Sequence, residues 1–325
     1  MKKKTDLVWM MPGNERFYEL FTNLDKWRYT QGIVDVVGFA DHALEKFSDD
    51  ELREGFAAMN SLGLSLGLEI GCIKEHGPDF YGRAMADQQR PVWQRFIDLG
   101  ANLTSVAFDE PLLNVIEIFP EVWAFLGDKE AQFEFAVEQS AEYIKIIREY
   151  FPQITLGDIE VFPTMTIDEV IHWIDALEAR IKQKGAAGMD FFRFDVNWYN
   201  PAFERSGYTQ ETGWREIKKL EDYCKSIDMP FSMIYWAPDV FRFMEDGKAI
   251  TDSRADEAWY DQVMTQGKNY YDAGGRPDQY VIETWVTVGE DHTWMPPTLL
   301  PEDGVLSFTR SVKDFYDTYV KPQKA

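Results

Sequence analysis

Ile154-Thr155-Leu156-Gly157-Asp158-Ile159-Glu160-Val161, then Thr166-Ile167-Asp168-Glu169, then Met189-Asp190-Phe191-Phe192-Arg193-Phe194-Asp195-Val196-Asn197-Trp198, is the stretch on which the fold turns. Its two outer segments are short, rich in Val, Ile, Leu and Phe, and alternate in polarity, as strands do. Between them, Thr166 followed by Glu169 spells a capping box, and Ile171, Ile174 and Leu177 continue at helical spacing. A strand, a helix and a strand in succession describe two parallel strands joined by a helical crossover.

The same unit recurs in both directions along the chain. Toward the N-terminus, strands are expected at Leu7–Met11, Val34–Phe39, Leu64–Ile70 and Leu103–Phe108; toward the C-terminus they are expected at Phe231–Trp236 and Tyr280–Val286. Helical patterns fill the intervals: Glu15–Trp27, a segment capped by Ser48 with Glu51 that runs to Leu62, Arg90–Leu99, Asp128–Tyr150, Glu211–Ile227, Asp256–Tyr271 and Val305–Tyr319. Eight strands alternating with eight helices predict an α/β fold of one kind, a single closed (β/α)8 or TIM barrel spanning residues 1–325. An open nucleotide-binding sheet is disfavoured, because Met11-Pro12-Gly13-Asn14 is not a GxGxxG turn and the chain has no GxxxxGK[ST] motif.

Composition narrows the function classes. The 325 residues carry 33 Lys+Arg against 56 Asp+Glu, a formal charge of −23, and 15% of them are aromatic. A chain this acidic offers no basic patch to phosphates, so neither nucleic acid nor an anionic membrane surface is an expected partner. Cys72 and Cys224 are too few and too far apart for a disulfide framework or a zinc pattern, and they are expected as buried thiols. Met1-Lys2-Lys3-Lys4 resembles the start of a leader, but Leu7 to Met11 is too short for its apolar region. A cytoplasmic protein is the default expectation, with the mature part of an exported protein as the other.

In TIM barrels the chemistry sits where strands end. The third strand offers Glu69, followed by Lys74, Glu75 and His76; the fourth ends in Asp109-Glu110-Pro111. The fifth carries Asp158 and Glu160, the sixth Arg193, Asp195 and Asn197, and the eighth Glu283. Alternation places Arg193, Asp195 and Asn197 on one face, and Asp158 with Glu160 on another, and the expectation is that these charges point into the barrel. Structural ion pairs are the competing account of each acid taken singly, but acids from five strands together point to a catalytic mouth. Converging carboxylates shift one another's pKa, which makes one an acid while another stays ionised. Beside them stand Trp198, Tyr235, Trp236 and Trp285. Sugars present C–H faces that stack on such rings and hydroxyls that need carboxylate, amide and guanidinium partners. Trp93, Trp123, Trp173 and Trp214, on expected helices or long loops, are expected in the core.

Two carboxylates and a polyol substrate suggest glycoside hydrolysis, in which one acid protonates the leaving oxygen while the other attacks or activates water. Here the chain resembles the TIM-barrel glycoside hydrolase superfamily, many members of which end strand 4 in Asn-Glu-Pro with the Glu as acid/base. The resemblance implies that role for Glu110, with Asp109 in place of the usual Asn. It also resembles uncharacterised glycosidase-like proteins that share the Asp-Glu-Pro ending. The superfamily's nucleophile at the end of strand 7 is replaced by Tyr235-Trp236, so the second carboxylate is expected among Glu160, Asp195, Glu283 and Asp239. The catalytic candidates are thus Glu110, Glu283, Glu160, Asp195 and Asp109. The substrate-binding candidates are Glu69, Arg193, Asn197, Trp198, Tyr235, Trp236 and Trp285. Hydrolysis of this kind needs no cofactor.

The main rival is a metal-dependent sugar isomerase or epimerase. Xylose isomerase-like barrels bind a divalent metal through carboxylates and one His from strands 5 through 8, and Glu160, Asp195 and Glu283 follow a similar order. None of His42, His76, His172 and His292 falls on strand 7, although carboxylates alone suffice for Mg²⁺ or Ca²⁺. A carbohydrate-binding barrel without catalysis is the third reading. Strands lacking Lys disfavour a Schiff-base aldolase, and the absence of G-x-S-x-G disfavours a serine hydrolase.

Overall fold

The computed structural model describes residues 7–73, 81–118, 122–290 and 292–324. Eight segments rich in branched and aromatic side chains form its central sheet: β1 (Leu7–Met11), β2 (Val36–Ala40), β3 (Ser65–Ile70), β4 (Leu103–Asp109), β5 (Thr155–Phe162), β6 (Phe191–Val196), β7 (Phe231–Tyr235) and β8 (Gln279–Glu283). Each pairs in parallel with its sequence neighbours, and β8 pairs with β1 from Leu7↔Gln279 to Met11↔Glu283, which closes the barrel. The fold is therefore the expected (β/α)8 barrel.

A helix follows every strand: α1 (Phe17–Thr22), α2 (Asp49–Ser61), α3 (Gly82–Asp98), α4 (Lys129–Tyr150), α5 (Ile167–Gln183), α6 (Gln210–Ser226), α7 (Ser253–Asp272) and α8 (Phe308–Phe315). Both expected capping boxes form. The Ser48 and Thr166 side chains accept from the Glu51 and Glu169 amides, and the two glutamates reach back to the cap amides at 2.8 Å. Several boundaries shift from the sequence reading, among them the first helix, which is Phe17–Thr22 rather than Glu15–Trp27, and most of all the third. The third helix is expected from Arg90, but α3 begins at Gly82 and carries Pro91 inside. Ala86, Gln89, Trp93 and Phe96 are buried at helical spacing, and that continuous apolar stripe outweighs the hydrogen bond the proline removes.

The barrel interior is filled by matching large residues with absent ones. Trp9 and Phe191 meet inside with ring centroids 6.3 Å apart. They fit because Gly67 and Gly157 stand opposite: a Cβ at Gly67 would lie 2.2 Å from the Trp9 ring, and one at Gly157 would lie 2.1 Å from Phe191. Outside the barrel, Phe17 packs edge-on against Phe39 and Phe56, joining α1, β2 and α2. Cys72 and Cys224 are both buried free thiols. Among the described residues, no helix is long and apolar enough to cross a membrane.

Candidate active site

Register and contacts together show which face of each strand looks into the barrel. On β6, Phe191 meets the interior Trp9, so Arg193 and Asp195, two and four residues on, face inward as well. Asp109 aligns with Ile159, Val161 with Asp195, Ala40 with Glu69 and Met11 with Glu283. Neighbours in a parallel sheet share a face, so Glu69, Asp109, Asp195 and Glu283 belong to one ring of inward positions at the C-terminal end of the barrel. Trp236 completes the ring after β7.

Arg193 forms the floor of this ring. It is fully buried, its guanidinium lies 4.1 Å from the Trp9 ring centroid, and its Nε donates to Ser232 Oγ at 3.1 Å. Its two terminal nitrogens have no hydrogen-bond partner among the described residues. Burial lowers its pKa to about 10, against the opposing charges of Glu283 and Glu69. It stays a cation at neutral pH, aimed up into the acids.

Two of the acids above it, Asp195 and Glu283, have raised pKa values. Burial pushes Asp195 up to about 8, and the negative charges of Asp109 and Glu69 push in the same direction. Glu283 is raised well above the ordinary carboxylate range by burial, then by the charge of Glu69, with a hydrogen bond to Glu69 adding to the effect and Arg193 opposing it. Like charges in one dry site cannot all ionise. A cavity of about 30 Å³, lined by Gly38 and Ala40 of β2 among others, lies beside Glu69 and Glu283, room for a water molecule.

Glu110 follows directly on the loop above Asp109. Its backbone adopts the left-handed region at φ 48°, a conformation that costs a non-glycine residue about 1–3 kcal/mol and collects at functional sites. The aromatic rim consists of Trp236, buried, and Trp285, 40% exposed, with ring centroids 4.5 Å apart. Trp236 is fixed by its indole N–H donating to Val196 O at 3.0 Å and its amide donating to Gln266 Oε1 at 2.8 Å. Trp198, half-buried, donates from its indole to Trp236 O at 3.4 Å. Asn197 accepts from the Tyr199 amide at 3.4 Å and so shapes the loop after β6.

Three expectations are corrected by these placements. Glu160 does not point into the barrel: its carboxylate accepts from the Leu112 amide at 2.8 Å and the Leu113 amide at 3.4 Å, fastening the turn after Asp109-Glu110-Pro111. Asp158 likewise faces the helices and accepts from the Trp173 indole of α5 at 2.5 Å. Tyr235 faces outward too, 4.4 Å from Phe315 of α8 by ring centroids, while its neighbour Trp236 takes the inward position. Sequence reasoning missed the floor-setting pair Trp9 and Ser232. Trp9 inside a strand was the available signal for one; Ser232 gave none. Lys74, Glu75 and His76 lie outside the described residues.

A divalent metal of the xylose isomerase-like kind does not fit this donor set. The β5 acids face away, the residue after β7 is Trp236, and the Arg193 cation occupies the floor among the acids. Among the described residues, no group of three or more His, Cys, Asp or Glu is placed to hold a metal ion. His42 is exposed after β2, and His172 stacks on Phe133 on the helical side.

No protein family model matches the chain, and no curated protein matches it. Solved structures share its architecture across nearly the whole length. A D-psicose 3-epimerase from Clostridium cellulolyticum H10, solved with D-tagatose, matches with a TM-score of 0.52 at 11% identity, covering 97% of this chain and 99% of that one. An L-ribulose 3-epimerase gives 0.52 at 11% identity, covering 98% and 95%. A provisionally assigned alpha-L-fucosidase from Bacteroides thetaiotaomicron VPI-5482 gives 0.52 at 8% identity, covering 98% and 94%. At these identities the likeness is one of fold.

Proposed function

We propose that the chain is a carbohydrate-active enzyme, a glycoside hydrolase whose acid and base are carboxylates of the barrel mouth. The observation that carries this reading is the place of Asp195, half-buried on the inward face of the mouth and pushed up to about 8, with the charge of Asp109 among the causes. A carboxyl raised in this way can serve as the acid while a second carboxyl serves as nucleophile or base. Asp195 protonates the leaving glycosidic oxygen. Asp109, or Glu110 on the loop above it, attacks the anomeric carbon or takes a proton from the incoming water.

The remaining residues have positioning roles. Glu69 and Glu283 share a hydrogen bond above Arg193 and present acceptors and a donor to sugar hydroxyls. Trp236 and Trp285 offer the face on which an apolar side of the ring stacks. The shared fold of the epimerases and the provisionally assigned fucosidase supports the reading only in that this architecture accommodates sugar substrates. The test is a screen of the protein on aryl glycosides and oligosaccharides. Release of aglycone or sugar by the wild type, and its loss in Asp195→Asn, is the expected result. Equal hydrolysis by Asp195→Asn overturns the assignment of the acid, and no cleavage of any glycoside overturns the reading.

A further inference from the structure

Beside the mouth lies a groove of about 200 Å³ that the chemistry above does not use. It is lined by Trp198 and Tyr199 after β6, Asp239 and Arg242 after β7, and Asp261 and Gln262 of α7. Trp198 belongs to both places, because its indole N–H reaches the carbonyl of Trp236, whose ring forms the rim of the mouth. The groove therefore adjoins the segment that carries the rim.

Two glutamines of α7, one turn apart, show that the groove is built to receive a hydrogen-bonding ligand. Gln266 uses both ends of its amide on the backbone, accepting from Trp236 N and donating to Ile234 O, each at 2.8 Å. Gln262 is only 4% exposed and uses one end, accepting from Asp239 N at 2.8 Å. Its Nε2 donor is buried with no hydrogen-bond partner among the described residues. An unsatisfied buried donor costs about 1–3 kcal/mol unless a ligand completes it. The accepting bond from Asp239 fixes the amide orientation, so the open atom is the nitrogen.

The charges select the ligand class. Arg242 is paired with Asp239 at 3.0 Å, which offsets its charge, and Asp261 adds a further negative one. An anionic ligand is repelled by that balance. A neutral ring with hydroxyls and C–H faces meets the amide donor of Gln262, the Arg242–Asp239 pair and the two aromatic rings. We infer that this groove binds a second saccharide unit, so that the protein takes an oligosaccharide that spans the mouth and the groove. This rests on the reading of the mouth as a sugar site.

The experiment is titration calorimetry of the wild type, Gln262→Glu and Arg242→Ala with linear α-1,4- and β-1,4-linked mono- to tetrasaccharides. Gln262→Glu keeps the acceptor for Asp239 N and removes the donor; Arg242 is a surface side chain, so both variants are expected to fold, which a melting curve checks. The wild type should bind a trisaccharide more tightly than the monosaccharide. Each variant should lose about tenfold for the trisaccharide, the worth of one charge-assisted or buried hydrogen bond, and bind the monosaccharide as before. No gain with length in the wild type, or a gain that both variants retain in full, overturns the groove. Cleavage of aryl glycosides is scored separately: length-dependent binding without cleavage leaves the groove standing and removes hydrolysis, whereas cleavage without length dependence does the reverse.

Discussion

β5 and β6 carry the same alternation of charged and apolar residues, Gly157-Asp158-Ile159-Glu160-Val161 and Phe192-Arg193-Phe194-Asp195-Val196, yet they spend their acids on opposite sides of the barrel. On β6, Arg193 and Asp195 turn inward, Arg193 over Trp9, while Phe192 and Phe194 turn outward, where Phe194 packs against Phe231 of β7. On β5, Asp158 and Glu160 turn outward, onto the Trp173 indole and onto the amides of Leu112 and Leu113. The difference lies in what each outward face meets. Behind β6 there are aromatic rings. Behind β5 there are N–H donors with no other partner to take them: an indole and the first amides of a short turn. Burial alone therefore does not mark an acid as chemical, since Asp158, Glu160, Asp195 and Glu283 are all raised by it. What separates them is the face they take: Asp158 and Glu160 are bound by donors outside the barrel, whereas Asp195 and Glu283 stand on the inward face at its mouth.

The sharpest way to break this contrast is to neutralise one acid from each strand. Asp195→Asn should lower kcat by about a hundredfold or more, the range for loss of a general acid, whereas Asp158→Asn should leave kcat within a fewfold of wild type. Steady-state rates on a cleaved glycoside check both. Next in size is the interior face of β5. Gly157→Ala drives a Cβ into the Phe191 ring and should destabilise the protein by about 1–3 kcal/mol in a denaturant titration, the range for overpacking. Glu160→Ala strips two amides of their acceptor and should cost about 1–2 kcal/mol in the same assay, while Glu160→Gln, which keeps an acceptor oxygen, should cost less. The smallest effect is expected at the rim, where Trp285→Ala should raise KM a fewfold with kcat little changed.

The strand contrast also measures how far the amino-acid pattern reaches. The barrel was legible because period-2 and period-3.6 segments alternate in strict order and because Ser48 and Thr166 announce their helices with local bonds that do not depend on the rest of the chain. The inward Arg193, Asp195 and Glu283 were legible for the same reason, aided by phenylalanines that had to face helices. Alternation says that Asp158 and Glu160 share a face but not which one. That choice is made by Phe191 filling the space beside Gly157 and by donors on α5 and on the turn after β4. Tyr235 and Trp236 are adjacent aromatics with the same ambiguity, settled by Phe315 of α8. The Glu69–Glu283 contact and the groove at Gln262 join segments distant in sequence, and no local spacing encodes them.

Asp195 carries the account, and its protonation can be measured without any substrate. Its folded pKa of about 8 lies above the roughly 3.9 of an unfolded chain, so the native state keeps a proton that the unfolded state has lost. By linkage this part of the stability is full below about pH 4 and is lost as pH rises toward about 8, and Asp195→Asn should flatten that slope. The direct measurement is an infrared difference titration of wild type against Asp195→Asn, following the protonated carboxyl band. A band present at pH 7 that disappears with a midpoint near 8 is the predicted result; a carboxyl that ionises near pH 4 would contradict it and remove Asp195 as the acid.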